Sequence, residues 1–405
     1  MEAFPISLTP HLFRARYVLP MKASPIEDGA VLVRGGRIVE VGPYRLLKKT
    51  FSGKTVDLSD LILLPVLFNL HTHLELSVLR FRLTPSGSFI SWVKALIRKR
   101  AEFSIEETQK AATQALKELW REGIGIVGDI GNTGLTLPLL RESPFIGIYF
   151  REIIDFRGKN ELKNFLKGSF PNGRFLYSLS PHTPYTVSPL LIQAIKSWTR
   201  RAGLPLSIHV AESPEEILFL KDGSGPIRFL LEERGQWHAG FRAPGLSPVA
   251  YLERLGVLDE KTICVHVVQI SDQDIETLSR HRVRPCLCPR SNIFLGVGLP
   301  PLPKLLRAGL KPCLGTDSLA SNDRLSIFAE MEALYHAYPE VSPEIFFLMA
   351  TLWGAEALGR SDLGGLFPGA RAEMLALRSP ATGKDLYRSL LENPKKIEVR
   401  LYVDL

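Results

Sequence analysis

The 405-residue chain has few cysteines, and the four present, Cys264, Cys286, Cys288 and Cys313, form no CxxC pair and no regular disulfide framework. All four lie in apolar, strand-like runs, a pattern that fits reduced thiols in a cytoplasmic protein. Long hydrophobic runs are also missing: no stretch approaches the ~20 apolar residues of a membrane span. The first residues, MEAFPISLTPHLFRARYVLP, lack a basic region followed by an uninterrupted apolar core, so no export signal is expected. No internal repeat or low-complexity tract is visible. These absences argue against a disulfide scaffold, a membrane protein and a repeat array.

A surplus of acidic charge is absent too, since the net charge is +8. The basic residues are scattered, and the densest cluster, Lys94, Arg98, Lys99 and Arg100, reads as the solvated face of one helix. Without an aromatic and basic strip, no nucleic-acid partner is expected, while the charge favours anionic small-molecule substrates. With 45% hydrophobic and 23% charged residues, the composition is ordinary globular and sufficient for a large domain with a smaller one.

Eight short apolar runs fill the middle of the chain: LILLPVLFNLH (61–71), GIGIVGDIG (123–131), FIGIYFRE (145–152), RFLYSLSPH (174–182), PLSIHVAE (205–212), TICVHVV (262–268), VRPCLCPRS (283–291) and LKPCLGTDS (310–318). Near-continuous apolar strands are buried on both faces, as in parallel sheets, and helical segments separate most of them. One helix is announced by the capping box of Ser104 and Glu107, with Ile105, Ala112, Leu116 and Leu119 on one face and Gly123 after its last turn. The expected fold is α/β: a distorted TIM (β/α)8 barrel over 65–359, with its active site at the strand C-termini. Residues 15–60 and the segments GLFPGARAEMLALRS and KKIEVRLYVDL read instead as short strands and turns. They point to a small β-sandwich built from both chain ends, 1–64 plus 360–405, with a last helix near 343–358 before it. The segment 222–247 reads as a long βα connection and a candidate substrate loop.

In FNLHTHLELS, His71 and His73 stand two apart at a strand end, so both imidazoles share a face. His209 ends the fifth run and Asp317 the eighth, which allows four N/O ligands from three strands to converge on Zn²⁺ or Fe²⁺ with a position left for water. Glu212, three residues past His209, and His266, at the end of the sixth run, belong near the same point. His11, His238, His281 and His336 lie off the strand-end pattern and read as structural or surface residues.

The order HTHLELS, SPHTPYTVS, HVAES, CPRSNIFLG, GTDSLASN and GLFPGARAEMLAL resembles the amidohydrolase superfamily, in its branch of deaminases and triazine chlorohydrolases, over nearly the whole chain. The resemblance implies that His71, His73, His209 and Asp317 bind one divalent metal ion, zinc before iron. It makes Glu212 a proton shuttle and His266 the residue that orients the attacking water, with Asp317 as both ligand and proton acceptor. A divalent ion lowers the pKa of bound water toward ~7, and the implied reaction is hydrolytic deamination of an aminated aromatic ring. Relatives with two metals carry a bridging lysine in the fourth run; SLSPH has none, which favours a single ion. Relatives read Pro-Gly before the histidines, whereas this chain has Pro65-Val66, and their Ala-Asp-Leu appears as Ala372-Glu373-Met374, differences that concern packing alone.

HTHLELS followed by FISWV most resembles aminodeoxyfutalosine deaminases of menaquinone biosynthesis, which implies an adenine-bearing nucleoside as substrate. Candidate substrate contacts are Glu75, Ser77, Trp92, Arg151 and His182, with Arg80, Arg82 and Arg151 placed to pair with a substrate carboxylate. Ser291 and Asn292 are expected to shape the loop after strand seven. Guanine or cytosine deamination and triazine dechlorination stand as alternatives, and a scaffold without catalysis as one of another class. Relatives of this architecture are often dimers or larger, so a homo-oligomer is expected.

Overall fold

The computed structural model describes residues 10–85, 87–166, 174–238, 240–381, 383 and 385–403. Four strands come first: β1 (His11–Val18), β2 (Ile26–Arg34), β3 (Arg37–Pro43) and β4 (Lys54–Pro65). Eight follow: β5 (Leu67–Thr72), β6 (Ile124–Gly131), β7 (Ile146–Ile153), β8 (Phe175–Pro181), β9 (Leu206–Val210), β10 (Thr262–His266), β11 (Arg284–Leu287) and β12 (Cys313–Leu314). The last two are β13 (Met374–Arg378) and β14 (Glu398–Val403).

The chain divides into two compact units, one of residues 1–68, 119–126 and 327–405, the other of 69–118 and 127–326. In the first, strands from both chain ends combine in one six-stranded sheet of order β14-β13-β4-β1-β2-β3. The sheet is mixed, with β1 parallel to β4 and the other pairs antiparallel. Its core gathers Phe13, Val31, Leu63 and Met374, all essentially buried, so residues more than 300 positions apart form one apolar face. This is why the alternating GAVLVRGGRIVEVG stretch needs the C-terminal segment to bury its apolar side.

Strands β5 to β12 form two four-stranded sheets, β5-β6-β7-β8 and β12-β11-β10-β9. Within them β7 pairs with β8, and β9 to β12 pair in series, all in parallel. Helices such as Pro189–Ala202, between β8 and β9, and Asp272–Arg280, between β10 and β11, make the crossovers that parallel pairing requires. The sheets meet at both edges. The Ser178 and Ser180 hydroxyls donate to the carbonyls of Pro205 and Ser207 (2.6 and 2.7 Å), and Thr72 bridges to Asp317 in parallel sense.

Four sequence expectations need correction. The apolar run 61–71 is two strands, because its hydropathy is continuous while its pairing changes: Val66 N donates to Glu373 O (3.1 Å) and Leu67 N to Gly123 O (3.0 Å). The helix expected near 343–358 is broken at Thr351 (φ −138°, ψ −91°) into Pro343–Ala350 and Leu352–Ala357. The connection 222–247 carries a helix of its own, Pro226–Glu233, and its residue 239 lies outside the described residues. Ile105 is 64% exposed while Ala112 and Leu119 are fully buried, because the first turn of the helix Ile105–Arg121 precedes its apolar face. The capping box itself is present, with Ser104 N donating to Glu107 Oε2 (2.8 Å) and Glu107 N to Ser104 Oγ (3.2 Å). The four cysteines are free and buried. Among the described residues no helix is long and apolar enough to cross a membrane.

The valine at position 66 is accommodated by a glycine on the neighbouring strand. A Cβ at Gly125 would lie 2.9 Å from both Cβ and Cγ2 of Val66, closer than carbon atoms pack. Gly125→Ala should therefore destabilise the protein by about 1–3 kcal/mol, the usual penalty of overpacking. Adding Val66→Gly should restore part of that loss, and urea unfolding of the two single variants and the double variant checks the compensation.

Candidate metal centre

The end of β5 and the chain following β12 are locked together by their backbones. Thr316 N and Asp317 N both donate to His71 O, each at 3.0 Å. Asn69 completes the clamp, its amide accepting from Thr316 N (3.1 Å) and donating to Thr316 Oγ1 (2.7 Å). Gly315 permits this approach, since a Cβ there would stand 2.6 Å from His71 Cβ and 2.9 Å from His71 O. Asp317 then turns its carboxylate inward through a left-handed φ of 55°, which an aspartate tolerates at modest cost. His266 (φ 74°) and Ala211 (φ 53°), at the ends of β10 and β9, bend the same way. Such strained positions cluster where side chains are re-aimed into a site.

His71, His73 and His209 are each less than a tenth exposed. His73 Nε2 lies 3.2 Å from His71 Nε2 and 3.3 Å from His209 Nε2, and Asp317 Oδ1 lies 3.6 and 3.5 Å from the Nε2 atoms of His71 and His73. His73 lies one residue past β5, with its backbone still extended (φ −118°, ψ 82°), so the alternation of side chains carries both rings to one point.

The set fits a metal ion. Donors at the corners of a tetrahedron about 2.0–2.1 Å from its centre are about 3.3–3.4 Å apart, close to the nitrogen spacings here. His209 Nδ1 donates to the His182 carbonyl (2.9 Å), which leaves the Nε2 lone pair facing the cluster. Burial, reinforced by the neighbouring imidazoles, pushes His73 down to about 3 and His209 well below the usual histidine range, so their rings are neutral donors at neutral pH. Burial works against ionisation of Asp317, but the His71 contact and the surrounding imidazoles outweigh it and hold the carboxyl well below the usual range. Its Oδ2 accepts from Ser291 Oγ (2.6 Å) and Ser321 Oγ (3.0 Å), leaving Oδ1 toward the histidines.

Glu212 and His266 flank this cluster, His266 Nε2 lying 3.5 Å from Glu212 Oε1. Burial, helped by Asp317 and Glu216, raises the Glu212 carboxyl well above its ordinary range and so favours its protonated form. Burial lowers His266 to about 4, and the Asn292 amide nitrogen sits 3.0 Å from its Nδ1 and fixes the ring. Ser291 and Asn292, read as loop-shaping residues, thus each hold one side chain of the site.

A cavity of about 490 Å³ opens on these groups. Its walls come from the helix Phe89–Arg100 through Phe89, Trp92, Val93 and Leu96, and from Leu230 and Leu231 on the segment after β9. That segment is anchored by Phe156, stacked on Trp237 at 6.3 Å and tilted against Phe241 at 5.3 Å. Of the expected substrate contacts, Trp92, His182 and Glu75 line the cavity, whereas Ser77 and Arg151 are not among the lining residues. Glu75 is saturated: its oxygens accept from Asn132 N (2.6 Å) and from Thr133 N and its hydroxyl, and Arg100 lies 3.5 Å away. Two of the three cations proposed for a substrate carboxylate are engaged elsewhere, Arg80 with Glu118 and Arg82 over the Phe103 ring. Arg100 and Arg234 line the cavity in their place, along with Glu152 and Asn132, none of them singled out from the sequence. Arg100 was hidden in a charge cluster that reads as solvated helix face; Glu152 ends the run FIGIYFRE, the same kind of position that marked the histidines.

Three imidazoles and a carboxylate on one point, at the carboxyl ends of parallel strands, are the donor set of a metal-dependent hydrolase. The chain belongs to the amidohydrolase family: the model of that family matches residues 62–397, and a bacterial imidazolonepropionase-like composite domain matches residues 29–45. Aminodeoxyfutalosine deaminase of Deinococcus radiodurans is 31% identical over 355 residues, spanning 82% of this chain and 81% of that protein. A 5-methylthioadenosine/S-adenosylhomocysteine deaminase of Pelotomaculum thermopropionicum is 30% identical over 370 residues, spanning 86% and 79%. Among solved structures, Helicobacter pylori aminofutalosine deaminase in complex with methylthio-coformycin superposes with a TM-score of 0.86 at 24% identity, over 96% of this chain and 97% of that one.

His209→Ala should lower the metal content of the purified protein measured by atomic emission. Ser291→Ala leaves all four donors in place and should weaken metal affinity by roughly 10–100-fold, as loss of a supporting hydrogen bond does; competition with a chromophoric chelator measures it.

Proposed function

We propose that this amidohydrolase is a hydrolytic deaminase that replaces the exocyclic amine of an adenine-bearing nucleoside by oxygen, releasing ammonia, with aminodeoxyfutalosine as the most specific candidate substrate. The observation that carries the reading is the pairing of Glu212 with His266 beside the three-imidazole cluster, at the floor of an apolar-walled cavity. The names of the two relatives at 30% and 31% identity, both adenine-nucleoside deaminases, support the same substrate class.

In this reading His71, His73, His209 and Asp317 hold one divalent ion, zinc first and iron second, which supplies a water acidified toward neutral pH. His266, fixed by Asn292, holds the attacking water in line. Asp317 accepts the water's proton, its other oxygen being held by Ser291 and Ser321. Glu212 gives its proton to the ring nitrogen beside the attacked carbon, regains the water's proton from Asp317 and passes it to the leaving amine as the C–N bond breaks, then takes the proton of the new hydroxyl as the ring carbonyl forms, which returns both acids to their starting states. Trp92 and Phe89 exclude water and offer aromatic surface to the flat base. His182 faces the same space, its Nδ1 tied to Thr186 Oγ1 at 2.9 Å. Arg234 supplies the positive charge that an anionic substrate tail calls for, Arg100 being held by Asn132 and Glu75.

The same reading takes the eight parallel strands as one closed (β/α)8 barrel over 65–359, and 1–64 with 360–405 as a composite β-sandwich. The edge contacts of the two parallel sheets support the barrel, and the single six-stranded sheet that takes strands from both chain ends supports a composite domain.

Metal-loaded protein incubated with aminodeoxyfutalosine, adenosine and S-adenosylhomocysteine should show loss of absorbance near the adenine maximum, fastest with the first. No change with any of the three overturns the adenine reading. Glu212→Gln should keep its metal and lose roughly 10²–10⁴-fold in kcat, since it removes proton transfer without removing a donor; turnover at the wild-type rate would show that Glu212 is not the acid.

A further inference from the structure

One buried carboxyl of the cavity has no part in the chemistry above. Glu152, one residue before the end of β7, lines the cavity and is 5% exposed. Its Oε1 has no hydrogen-bond partner among the described residues, and its Oε2 meets only the amide of Asn132, at a long 3.4 Å. The surrounding donors are committed elsewhere. His209 Nδ1, 3.9 Å from Oε1, donates to the His182 carbonyl, and the backbone N of Asn132 donates to Glu75. Arg100 is held by Asn132 Oδ1 at 3.1 Å and by Glu75 at 3.5 Å. Burial, with Glu75 nearby, raises this carboxyl to about 8, and a buried polar oxygen without a partner still costs about 1–3 kcal/mol, so a carboxyl placed here is waiting for a partner that a ligand brings.

The donors available in the proposed substrate are few. An adenine ring offers acceptor nitrogens and one exocyclic amine, and that amine belongs at Glu212 and His266. Those two residues stand at the ends of β9 and β10, in one four-stranded sheet, whereas Glu152 and Asn132 stand at the ends of β7 and β6, in the other. The remaining donors of an adenine nucleoside are its sugar hydroxyls. We propose that Glu152 is the sugar-recognising residue of this site, its Oε1 accepting a hydrogen bond from a ribose hydroxyl, with the Asn132 amide holding Oε2. The inference rests on the adenine-nucleoside reading and adds to it a requirement for a hydroxylated sugar.

The test compares kcat/KM for adenosine and 2′,3′-dideoxyadenosine in the metal-loaded wild type and in Glu152→Gln, with bound metal measured in both. Where adenosine turns over too slowly, the same pair is compared as inhibitors of aminodeoxyfutalosine turnover. The wild type should favour adenosine by roughly tenfold or more, as sites built to bond a substrate hydroxyl do. The variant should lose most of that preference through a higher KM while keeping its metal. If the Gln variant does not fold, Glu152→Asp, with its carboxyl drawn back by one methylene, should lose the preference in the same way. Equal use of both nucleosides by the wild type overturns the proposal and leaves the deaminase reading standing, as does a preference that survives the substitution. Neither turnover nor inhibition by any adenine compound removes the parent reading, and this inference with it.

Discussion

The site depends on one backbone junction, the pair of hydrogen bonds from Thr316 and Asp317 to the His71 carbonyl. These bonds seat the end of the short strand β12 against the end of β5, and they place a carboxylate within 3.6 Å of two histidines that arrive from the other end of the sequence. Gly315 is required for that closeness and Asn69 for its satisfaction, so neither residue can change without moving the donors. The geometry is local, yet it draws together residues nearly 250 positions apart. A cluster of donors with fixed spacing follows from the sheet ends rather than from any side chain's own preference.

Electrostatics follows from the same placement. Burying several histidines together keeps His73, His209 and His266 neutral, and burying Glu212 beside Asp317 raises its carboxyl and favours the protonated form. An aspartate pushed toward its ionised form, a glutamate pushed toward its protonated form and a set of neutral imidazoles suit a site that accepts a cation and donates a proton. The apolar walls from Phe89 to Leu96 and from Leu230 to Leu231 maintain that state by limiting water. The cavity is therefore both a binding space and the cause of the shifted acidities.

Much of this was legible in the sequence, because parallel strands buried on both faces leave continuous apolar runs, and the polar residue at each run's end marks the site. His71, His73, His209, Glu212, His266 and Asp317, picked out that way, lie together in the structure. What hydropathy could not show was a change of partner within an apolar run, so the passage from β4 to β5 at Val66 went unseen, as did the break at Thr351. Charge was harder still. Arg80, Arg82 and Arg151 lie near strand ends but do not line the cavity, while Arg100, on a helix whose other charges face solvent, does. A sequence gives the sign of a residue and its period, and the direction of a long flexible side chain is settled by its neighbours. Glu152 was visible at a strand end, but its lack of donors exists only in three dimensions.

The central claim is that one ion at the four-donor centre switches on hydrolysis of an adenine amine. Titrating metal-free protein with Zn²⁺ while following the loss of adenine absorbance tests it most directly. Activity should rise in proportion to added metal and level off at a single equivalent per chain. A rate independent of added metal, or one that levels off only at two equivalents, would contradict the account.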